Sequence, residues 1–387
     1  MRTTHNRFVS CDVELCFVER RTIFTMHIVN VIQCANLGGM EQASLRLMRA
    51  LKARGHELSL ISLNPIAGLG PLLEKANIPA CGLDYAGKGK FAALFDLRRK
   101  LASQSADALI MTGHNFAASL AIGDICRGRR LLANHFHHEG VMPPWRWRLI
   151  YRAARARFQT ITFPSDFVRR EAETLDPAIK PIARTIRNPL QIPPLPVDPV
   201  KRAAMRARCR VDGDAPLIGN AGWLISRKRI DVFLDTAAAF VQMRPDARFV
   251  IAGDGELRAA LEVQTQRLGL SDRLTWLGWQ SDLEPFYAGI DALLFNTDWD
   301  TFPTTPIEAM SLAIPVVASS VHGGLPEILN EETGWLFDRH DPPALAQALL
   351  RALTTEGRIR GTRARDSVRV TSDPESVAVE IEELLLG

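Results

Sequence analysis

Apolar stretches and helical stretches alternate along this chain from Met26 onward, and this alternation is the feature that most restricts its fold. The first apolar run, MHIVNVIQ, is followed by the helical pattern EQASLRLMRALKARG, and further pairs of the same kind follow. Strands that alternate with helices favour a parallel sheet with helices on both faces, because a parallel connection must cross the sheet. The predicted fold class is therefore α/β and doubly wound.

A proline-rich segment divides this alternation into two series. The segment NPLQIPPLPVDP, residues 188–199, contains five prolines in twelve residues and is expected to be stiff and extended. We predict an N-terminal Rossmann-like domain over residues 26–192 and a C-terminal one over residues 193–370. A final helix, residues 371–387, is free to pack back across the boundary. Ligands of such sheets bind beyond the carboxyl ends of the strands, so the cleft between the two domains is the expected site.

Residues 1–25 are predicted to be a tail outside the fold. They have neither the apolar core nor the small-residue cleavage site of a signal peptide. No apolar run in the chain approaches the ~18 residues that span a bilayer. The six cysteines are scattered through 387 residues without a Cys-x-x-Cys pair, which favours reduced thiols. These features predict a cytoplasmic protein, and association with the inner face of the membrane stays open.

The net charge of +4 is divided between two halves of opposite sign. Residues 1–192 carry 27 Lys and Arg against 15 Asp and Glu, while residues 193–387 carry 20 against 28. A basic half indicates an anionic partner, and nucleic acid, anionic lipid and an acidic saccharide all satisfy this charge. No recognised nucleic-acid-binding module is present, so nucleic acid is not expected. An arginine-rich surface without a partner is the alternative.

The segment PPWRWRLIYRAARARF, residues 143–158, combines aromatic and basic residues at helical spacing. Arginines line one face beside an apolar stripe formed by Trp147, Ile150, Tyr151, Ala154 and Phe158. Such a helix is typical of proteins that lie on an anionic membrane surface. The alternative is a helix that packs its stripe in the core and turns a basic face outward.

The segment DWDTFPTTPIEAM, residues 298–310, follows the strand pattern DALLFNT and carries two carboxylates eight positions apart, Asp300 and Glu308. Thr305 and Glu308 match a capping box at the start of a helix. The free N–H groups of such a helix suit a phosphate in the cleft, while the carboxylates suit sugar hydroxyls. Asp298 and Asp300 also have the spacing of a metal pair, but further ligands are lacking nearby, and we predict no metal site.

Glycines and cations follow several other strand patterns. In NAGWLISRKRIDVFL, Gly222 stands at the turn and Arg227, Lys228 and Arg229 stand just before a helix. Three adjacent cations indicate an anion such as a nucleotide diphosphate, and a solvated run of charges is the alternative. Further close approaches of the backbone to a ligand are expected at Gly38, Gly39, Gly253 and Gly255.

Histidines cluster in the basic half, at the ends of two strand patterns. His114 follows ADALIMTG, and the segment NHFHHEG adds His135, His137 and His138. Neither cysteines nor carboxylates stand at the spacing that a metal site would need. A hydrogen-bonded structural histidine is the alternative to a ligand-binding one.

The block DTFPTTPIEAMSLAIPVVASSVHGGLPEILNEETGWLF closely resembles the donor-site signature of glycosyltransferase family 4, the retaining enzymes of the GT-B type. That signature is Glu-Gly-Phe-Gly-x-x-x-x-Glu-Ala-Met, then Gly-x-Pro-Val-Val, Gly-Gly-x-x-Glu and Thr-Gly. The segments GGMEQAS, RNPLQIPP, FVIAGDGEL and WLGWQSDLEPFYAGIDALLFNT extend the resemblance from Met26 to about Asp338.

This resemblance implies roles for individual residues. Glu308 would hold the nucleotide ribose, Asp300 would address the donor sugar, and Lys228 would neutralise the diphosphate. His135 would line the catalytic cleft. The loop that approaches the donor phosphate and the acceptor would contain Gly38 and Gly39, with His114 nearby. The implied donor site is completed by Gly222, Arg227, Arg229, Gly253, Gly255, Gly278, Phe302, Thr304 and Thr305.

Two departures from the family pattern matter for the chemistry. The first acidic position is Asp300, one methylene shorter than the family's glutamate, and this bears on the choice of sugar. The family's arginine after Gly222 is replaced by Trp223, which removes one diphosphate cation. Arg227 and Arg229 are the candidates to replace it.

The resemblance implies a metal-independent hexosyltransferase that moves a sugar from a nucleoside-diphosphate sugar to an acceptor hydroxyl with retention at the anomeric carbon. No cofactor is expected beyond that co-substrate. The expected acceptor is a saccharide or a lipid-linked saccharide in cell-surface polysaccharide or glycolipid biosynthesis. The alternatives are a nucleotide-sugar epimerase or hydrolase of the same fold, and a non-catalytic nucleotide-sugar binding protein.

Overall fold

The computed structural model describes residues 25–86, 90–122, 126, 128–136, 138, 141–195 and 197–387. The predicted N-terminal tail lies outside these residues apart from Thr25, and so does His137. No helix in the described ranges is both long enough and apolar enough to span a membrane.

The first sheet has seven strands, all parallel, in the order β3-β2-β1-β4-β5-β6-β7. Its strands are β1 (His27–Ile32), β2 (Glu57–Ser62), β3 (Ala80–Gly82), β4 (Ala108–Thr112), β5 (Arg130–Ala133), β6 (Thr160–Phe163) and β7 (Ala183–Thr185). The helices between them are α1 (Gly39–Ala53), α2 (Gly70–Lys75), α3 (Lys90–Gln104), α4 (Phe116–Ile122), α5 (Pro144–Arg157) and α6 (Asp166–Leu175).

The second sheet has six parallel strands in the order β10-β9-β8-β11-β12-β13. Its strands are β8 (Leu217–Ala221), β9 (Arg248–Ala252), β10 (Leu274–Gly278), β11 (Ala292–Asp300), β12 (Val316–Gly323) and β13 (Trp335–Phe337). Its helices are α7 (Pro199–Arg208), α8 (Ile230–Met243), α9 (Arg258–Arg267), α10 (Glu284–Gly289), α11 (Thr304–Ser311), α12 (Pro342–Ala352) and α13 (Thr355–Thr371). The chain ends in α14 (Pro374–Leu386).

Both faces of each sheet are covered, which explains why the strand patterns are almost continuously apolar. In β1, Val29 and Val31 pack on one side with α3, α4, α5 and α6, while Ile28 and Ile32 pack on the other side with α1, α2 and α14. The strand order reverses direction between β1 and β4 in the first sheet and between β8 and β11 in the second. The predicted doubly wound α/β fold is therefore confirmed.

The last helix returns to the first sheet. α14 packs against α1, and Val377 and Ile381 join the core beneath it. Nε of Arg54 lies 2.6 Å from Oε2 of Glu382, so an ion pair flanks this apolar contact. The segment 186–195, which leads to the second sheet, forms neither helix nor strand, as expected where prolines remove helical backbone. The two halves are thus joined both by this segment and by the packing of α14.

Helix α5 turns its aromatic stripe inward. Trp147, Ile150, Tyr151, Ala154 and Phe158 are all buried in the core of the first sheet. The structure therefore contradicts the interpretation that this stripe lies on a membrane and favours the core-packing alternative. The exposed face of α5 carries Trp145, Arg148, Leu149 and Arg152.

Candidate active site

The carboxyl edges of the two sheets face each other across a cleft, and the N-termini of two helices meet there. α1 begins at Gly39 after β1, and α11 begins at Thr304 after β11. A Cβ atom on Gly39 would lie 3.9 Å from Cγ2 of Thr304. Neither N-cap residue, Gly38 or Pro303, makes a side-chain capping bond. The first turns of both helices therefore direct positive partial charge to one place, which suits an anion.

The predicted capping box in α11 is wrong. The helix begins at Thr304 with Pro303 as its N-cap, and Oγ1 of Thr305 donates to the carbonyl oxygen of Ala221, at 3.1 Å. The carboxylate of Glu308 accepts hydrogen bonds from side chains of other helices instead of from its own helix start. The start of α11 is thus tied to the end of β8 by a tertiary contact.

Lys228 and Asp300 form an ion pair at the end of β11. Nζ of Lys228 lies 2.5 Å from Oδ2 of Asp300 and 5.0 Å from the centre of the Phe295 ring. Nη1 of Arg227 lies 3.5 Å from the same carboxylate oxygen, and its guanidinium stacks 4.5 Å from the ring centre of Trp299. Burial raises the pKa of Asp300, but the charges of Lys228 and Arg227 outweigh burial, so the pKa is lowered. Asp300 is therefore ionised at neutral pH.

Glu308 connects the two halves of the molecule. Its Oε1 accepts a hydrogen bond from Nη2 of Arg46 in α1 at 2.8 Å, and its Oε2 accepts one from the Tyr287 hydroxyl at 2.9 Å. Burial, followed by the charge of Glu308, raises the pKa of Tyr287 well above its ordinary value, so the hydroxyl stays a donor. A carboxylate has about four acceptor sites, so lone pairs remain for further donors such as sugar hydroxyls.

The Asp-x-Asp motif is divided between two sets of ion pairs. Oδ1 of Asp298 accepts from Nη1 of Arg229 at 3.1 Å and lies 3.0 Å from Nε2 of His340. Arg229 also binds Asp231 at 2.8 Å, and this hydrogen bond is the main cause of its raised pKa. In the part of the chain that the structure describes, no group of three or more His, Cys, Asp or Glu side chains is placed to hold a metal ion.

Three glycines lie side by side where β8, β9 and β10 end. A Cβ atom on Gly253 would lie 1.9 Å from the carbonyl oxygen of Gly222, so no larger residue fits there. The N–H of Gly253 donates to the carbonyl oxygen of Gly278 at 2.9 Å. Gly255 packs against the backbone of Leu224. The predicted close approaches at Gly253 and Gly255 are thus made to neighbouring backbone, which brings the strand ends together.

Two tryptophans stand on this glycine edge. Trp223 follows Gly222 and Trp279 follows Gly278, with ring centres 4.5 Å apart and 34° between the ring planes. Trp223 is 47% exposed and Trp279 is 42% exposed. Sequence reasoning missed this pair, although a Gly-Trp dipeptide recurs after two strand patterns. The pair offers an exposed aromatic surface at the ends of β8 and β10.

The predicted histidines end two neighbouring strands of the first sheet. His114 follows β4, and its ring centre lies 4.4 Å from that of Phe136 and 4.6 Å from that of Trp147. Burial, and then the charge of His138, lower the pKa of His114 to about 4. His135 follows β5, and burial lowers its pKa to about 4 as well. Both imidazoles are therefore neutral at neutral pH.

The structure brings most of the predicted donor residues together around the start of α11. This group consists of Gly38, Gly39, Gly222, Arg227, Lys228, Asp300, Thr304, Thr305 and Glu308. Phe302 is not part of it, because its side chain is buried in the core of the second sheet. Arg229 is held by Asp231 and Asp298.

Arg46 and Tyr287 are site residues that the sequence did not indicate. Arg46 is separated from Glu308 by 262 positions, and Tyr287 by 21 positions. Arg46 lies outside every motif segment quoted for the resemblance. Tyr287 lies within the segment WLGWQSDLEPFYAGIDALLFNT, but nothing there marked it as a site residue, and only the folded cleft brings the two to the same carboxylate.

Two family models match this chain along most of its length. The model described as "Glycosyl transferase 4-like domain" matches residues 38–188, and the model described as "Glycosyl transferases group 1" matches residues 201–366. The chain belongs to the glycosyltransferases of family 4 and has their GT-B fold. The resemblance found in the sequence is thereby confirmed.

Curated relatives and a solved structure agree with this class. The chain is 25% identical over 183 residues to the lipopolysaccharide core biosynthesis mannosyltransferase LpsB of Rhizobium meliloti (strain 1021), covering 45% of this chain and 52% of that protein. It is 33% identical over 108 residues to the UDP-Gal:alpha-D-GlcNAc-diphosphoundecaprenol alpha-1,3-galactosyltransferase of Escherichia coli, covering 28% of each. The chain thus matches about half or less of the length of these relatives. HepE of Anabaena, solved in complex with UDP and glucose, has a TM-score of 0.81 at 18% identity, covering 93% of this chain and 99% of that chain.

Proposed function

We propose that the protein transfers a sugar from a nucleoside-diphosphate sugar to an acceptor hydroxyl with retention at the anomeric carbon. The observation that carries this proposal is the meeting of the α1 and α11 N-termini beside Lys228. A diphosphate is the anion that suits two helix ends and a lysine at once. UDP or UDP-glucose in solved structures of HepE, which has the same fold, supports a donor of this class.

Stabilising the leaving group is the main chemical task of this site. When the bond between sugar and diphosphate breaks, negative charge develops on the phosphate oxygens. Fixed N–H groups that already face this charge lower the barrier without needing to reorganise, and Lys228 adds a cation beside them. The proposed reaction therefore needs neither a metal ion nor a cofactor. In the proposed mechanism the leaving phosphate takes the acceptor proton, because the acceptor attacks on the same face.

The two carboxylates are proposed to take hydroxyl groups of the donor. Glu308 is held between Arg46 and Tyr287, and this fixed carboxylate is suited to accept from the ribose hydroxyls. Asp300 is proposed to contact the transferred sugar. When the donor binds, Lys228 is proposed to move from the Asp300 carboxylate to the diphosphate. The Trp223–Trp279 pair is proposed as the stacking surface for the nucleobase.

The acceptor is proposed to enter from the first sheet, past His135 and His114. The excess of positive charge in residues 1–192 suits an anionic or lipid-linked saccharide. Relatives named for lipopolysaccharide core biosynthesis and for a diphosphoundecaprenol acceptor support a role in cell-surface polysaccharide or glycolipid biosynthesis. We place this activity in the cytoplasm, in contact with an anionic membrane.

A transfer assay tests this function. The full chain is incubated with a panel of nucleoside-diphosphate sugars, each with and without saccharide and lipid-linked acceptors, and the anomeric proton of the product is followed by NMR. We expect donor consumption that depends on the acceptor and a product with the donor's anomeric configuration. An inverted product contradicts retention. Rapid consumption of donor alone favours an epimerase or hydrolase, and tight donor binding without any product favours a non-catalytic binder.

A further inference from the structure

Three helices of the first sheet each expose a pair of large apolar side chains. The pairs are Phe91 and Phe95 in α3, Phe116 and Leu120 in α4, and Trp145 and Leu149 in α5. Exposure is as high as 91% for Phe91 and 70% for Phe95. Each pair has the i, i+4 spacing that places both side chains on one side of its helix.

These three pairs belong to one surface. α3, α4 and α5 cover the same face of the first sheet, and α4 packs against both of the others. Each pair lies in the first two turns of its helix. A helix that follows a strand in such a sheet starts at the strand's carboxyl end, so all three pairs lie at the cleft edge. The other large exposed apolar side chains of the described residues lie outside these three helices, and none of them forms an i, i+4 pair within a helix.

Arginines alternate with these apolar side chains. Arg98 and Arg99 are exposed in α3, and Arg146, Arg148 and Arg152 are exposed in α5. These three helices contain a single acidic residue, Asp96, which is paired with Arg99. We call the six apolar side chains and these five arginines the aromatic–arginine face. Large apolar side chains beside a strong excess of arginines are the composition of surfaces that rest in the headgroup region of a bilayer.

We propose that the aromatic–arginine face seats the protein on a bilayer with anionic headgroups. The headgroups neutralise the arginines, and the phenylalanines and Trp145 enter the boundary with the acyl chains. A second copy of the chain is less suited to this face, because a two-fold contact would oppose its arginines with themselves. This inference rests on the proposed function and sharpens it, since seating at this face brings the acceptor side of the cleft to the lipid surface. A lipid-linked acceptor then reaches the cleft without leaving the membrane.

Vesicle sedimentation tests this surface without requiring donor, acceptor or activity. The full chain is mixed with phosphatidylcholine vesicles, with or without phosphatidylglycerol, at low and high salt. We expect strong sedimentation only with phosphatidylglycerol, and weakening by salt. The double variant Arg146→Gln/Arg152→Gln should bind anionic vesicles roughly twenty-fivefold more weakly, at roughly fivefold per arginine. The double variant Phe95→Ser/Trp145→Ser should bind anionic vesicles more weakly than the wild type, by roughly tenfold or more.

A matched control removes two apolar side chains that are equally exposed elsewhere. Val263 is 64% exposed and Val370 is 78% exposed, and neither belongs to the aromatic–arginine face. Val263→Ser/Val370→Ser should sediment like the wild type, and melting temperatures confirm that all variants fold.

Equal binding to neutral and anionic vesicles, or wild-type binding by both test variants, overturns the proposal. A wild-type dimer that Phe95→Ser/Trp145→Ser converts to a monomer, without vesicle binding, also overturns it and assigns the face to self-association. If the face binds membranes but no sugar transfer is found, the membrane-binding surface is supported and the proposed function is contradicted.

Discussion

Charged side chains at the cleft are held in pairs, and a bound donor can replace one partner in each pair. Lys228 contacts Asp300, and Glu308 lies between Arg46 and Tyr287. Each pairing keeps a charge in place at a partly buried position, where an unpaired charge would be costly. The hydroxyl and phosphate groups of a donor offer equivalent partners, so binding can exchange one set of hydrogen bonds for another.

Replacing Lys228 tests the proposed leaving-group role. Lys228→Ala removes the cation nearest the proposed diphosphate, and we expect kcat to fall by roughly a hundred- to a thousandfold, as for other fixed groups that stabilise developing charge. Steady-state kinetics with the identified donor measure this. Lys180→Ala is the control, because Lys180 is exposed in the turn that precedes β7, on the amino-terminal side of the first sheet, and should change kcat little. An unchanged kcat in Lys228→Ala would contradict the role.

Glu308→Gln tests the proposed contact with the ribose. Glutamine keeps the shape of the side chain but loses the charge that strengthens each hydrogen bond, so we expect donor affinity to fall by roughly ten- to a hundredfold. Isothermal titration with the nucleoside diphosphate measures the affinity. Arg46→Met separates this effect from loss of the Arg46 pair, and its affinity should fall by less than that of Glu308→Gln. Equal losses in both variants would mean that Glu308 serves the contact between the two halves.

At the scale of elements, the starts of α1 and α11 define the space for the diphosphate. The sequence indicated both helices, because an apolar strand, a glycine- or proline-containing turn and a helical pattern follow each other in each case. It did not indicate how α11 begins. Local spacing selected Thr305 as a cap, which would accept from backbone N–H groups of the first turn. In the folded chain the helix already begins at Thr304, and the Thr305 hydroxyl donates to the carbonyl oxygen of Ala221, 84 positions away. The spacing of apolar residues in α5 is equally local. It is the same for a stripe that packs in a core and for one that lies on a membrane, so the sequence alone did not decide between them.

Gly39→Ala tests whether the helix starts bind the donor directly. The added methyl group meets Thr304 at ordinary contact distance, 3.9 Å, and alanine favours the first turn of a helix more than glycine does. We expect an equal or higher melting temperature together with donor affinity or kcat lowered by roughly tenfold or more, because the methyl group enters the phosphate space. Calorimetry and steady-state kinetics give the two values. Unchanged kinetics in a stable variant would place the diphosphate elsewhere.

At the scale of the whole molecule, the two sheets are joined by contacts that the sequence could not reveal. Alternation and the proline-rich segment predicted two sheets and the order of their elements. The crossing of α14 onto α1 and the pairing of Arg46 with Glu308 depend on how the halves meet, and no local pattern encodes this. The motif block and its supporting segments predicted most of the residues that lie around the start of α11, and the roles of these residues towards a donor stay predictions. The Trp223–Trp279 pair and the aromatic–arginine face depend on residues that the donor-site signature does not include.

Acid is expected to destabilise the molecule through its neutral histidines. The pKa values of His114 and His135 are lowered to about 4, so the unfolded state binds more protons than the folded state between about pH 4 and pH 6.5. Stability from these groups is therefore present above about pH 6.5 and is lost as the pH falls towards 4. Urea unfolding at pH 7 and pH 4.5 should show this loss. His114→Phe should reduce it by about 2 kcal/mol, since phenylalanine keeps the aromatic packing and cannot titrate. An equal loss in the variant would contradict the assignment to His114.

The central claim is that two helix N-termini and Lys228 hold a nucleoside diphosphate without a metal. The most direct test is the melting temperature of the full chain with UDP or GDP, in the presence of a chelator. We predict that one of them raises the melting temperature by a few degrees at concentrations well above its Kd, and that Lys228→Ala removes most of this shift. If neither nucleotide raises the melting temperature, or if the shift appears only after a divalent cation is added, the claim is contradicted.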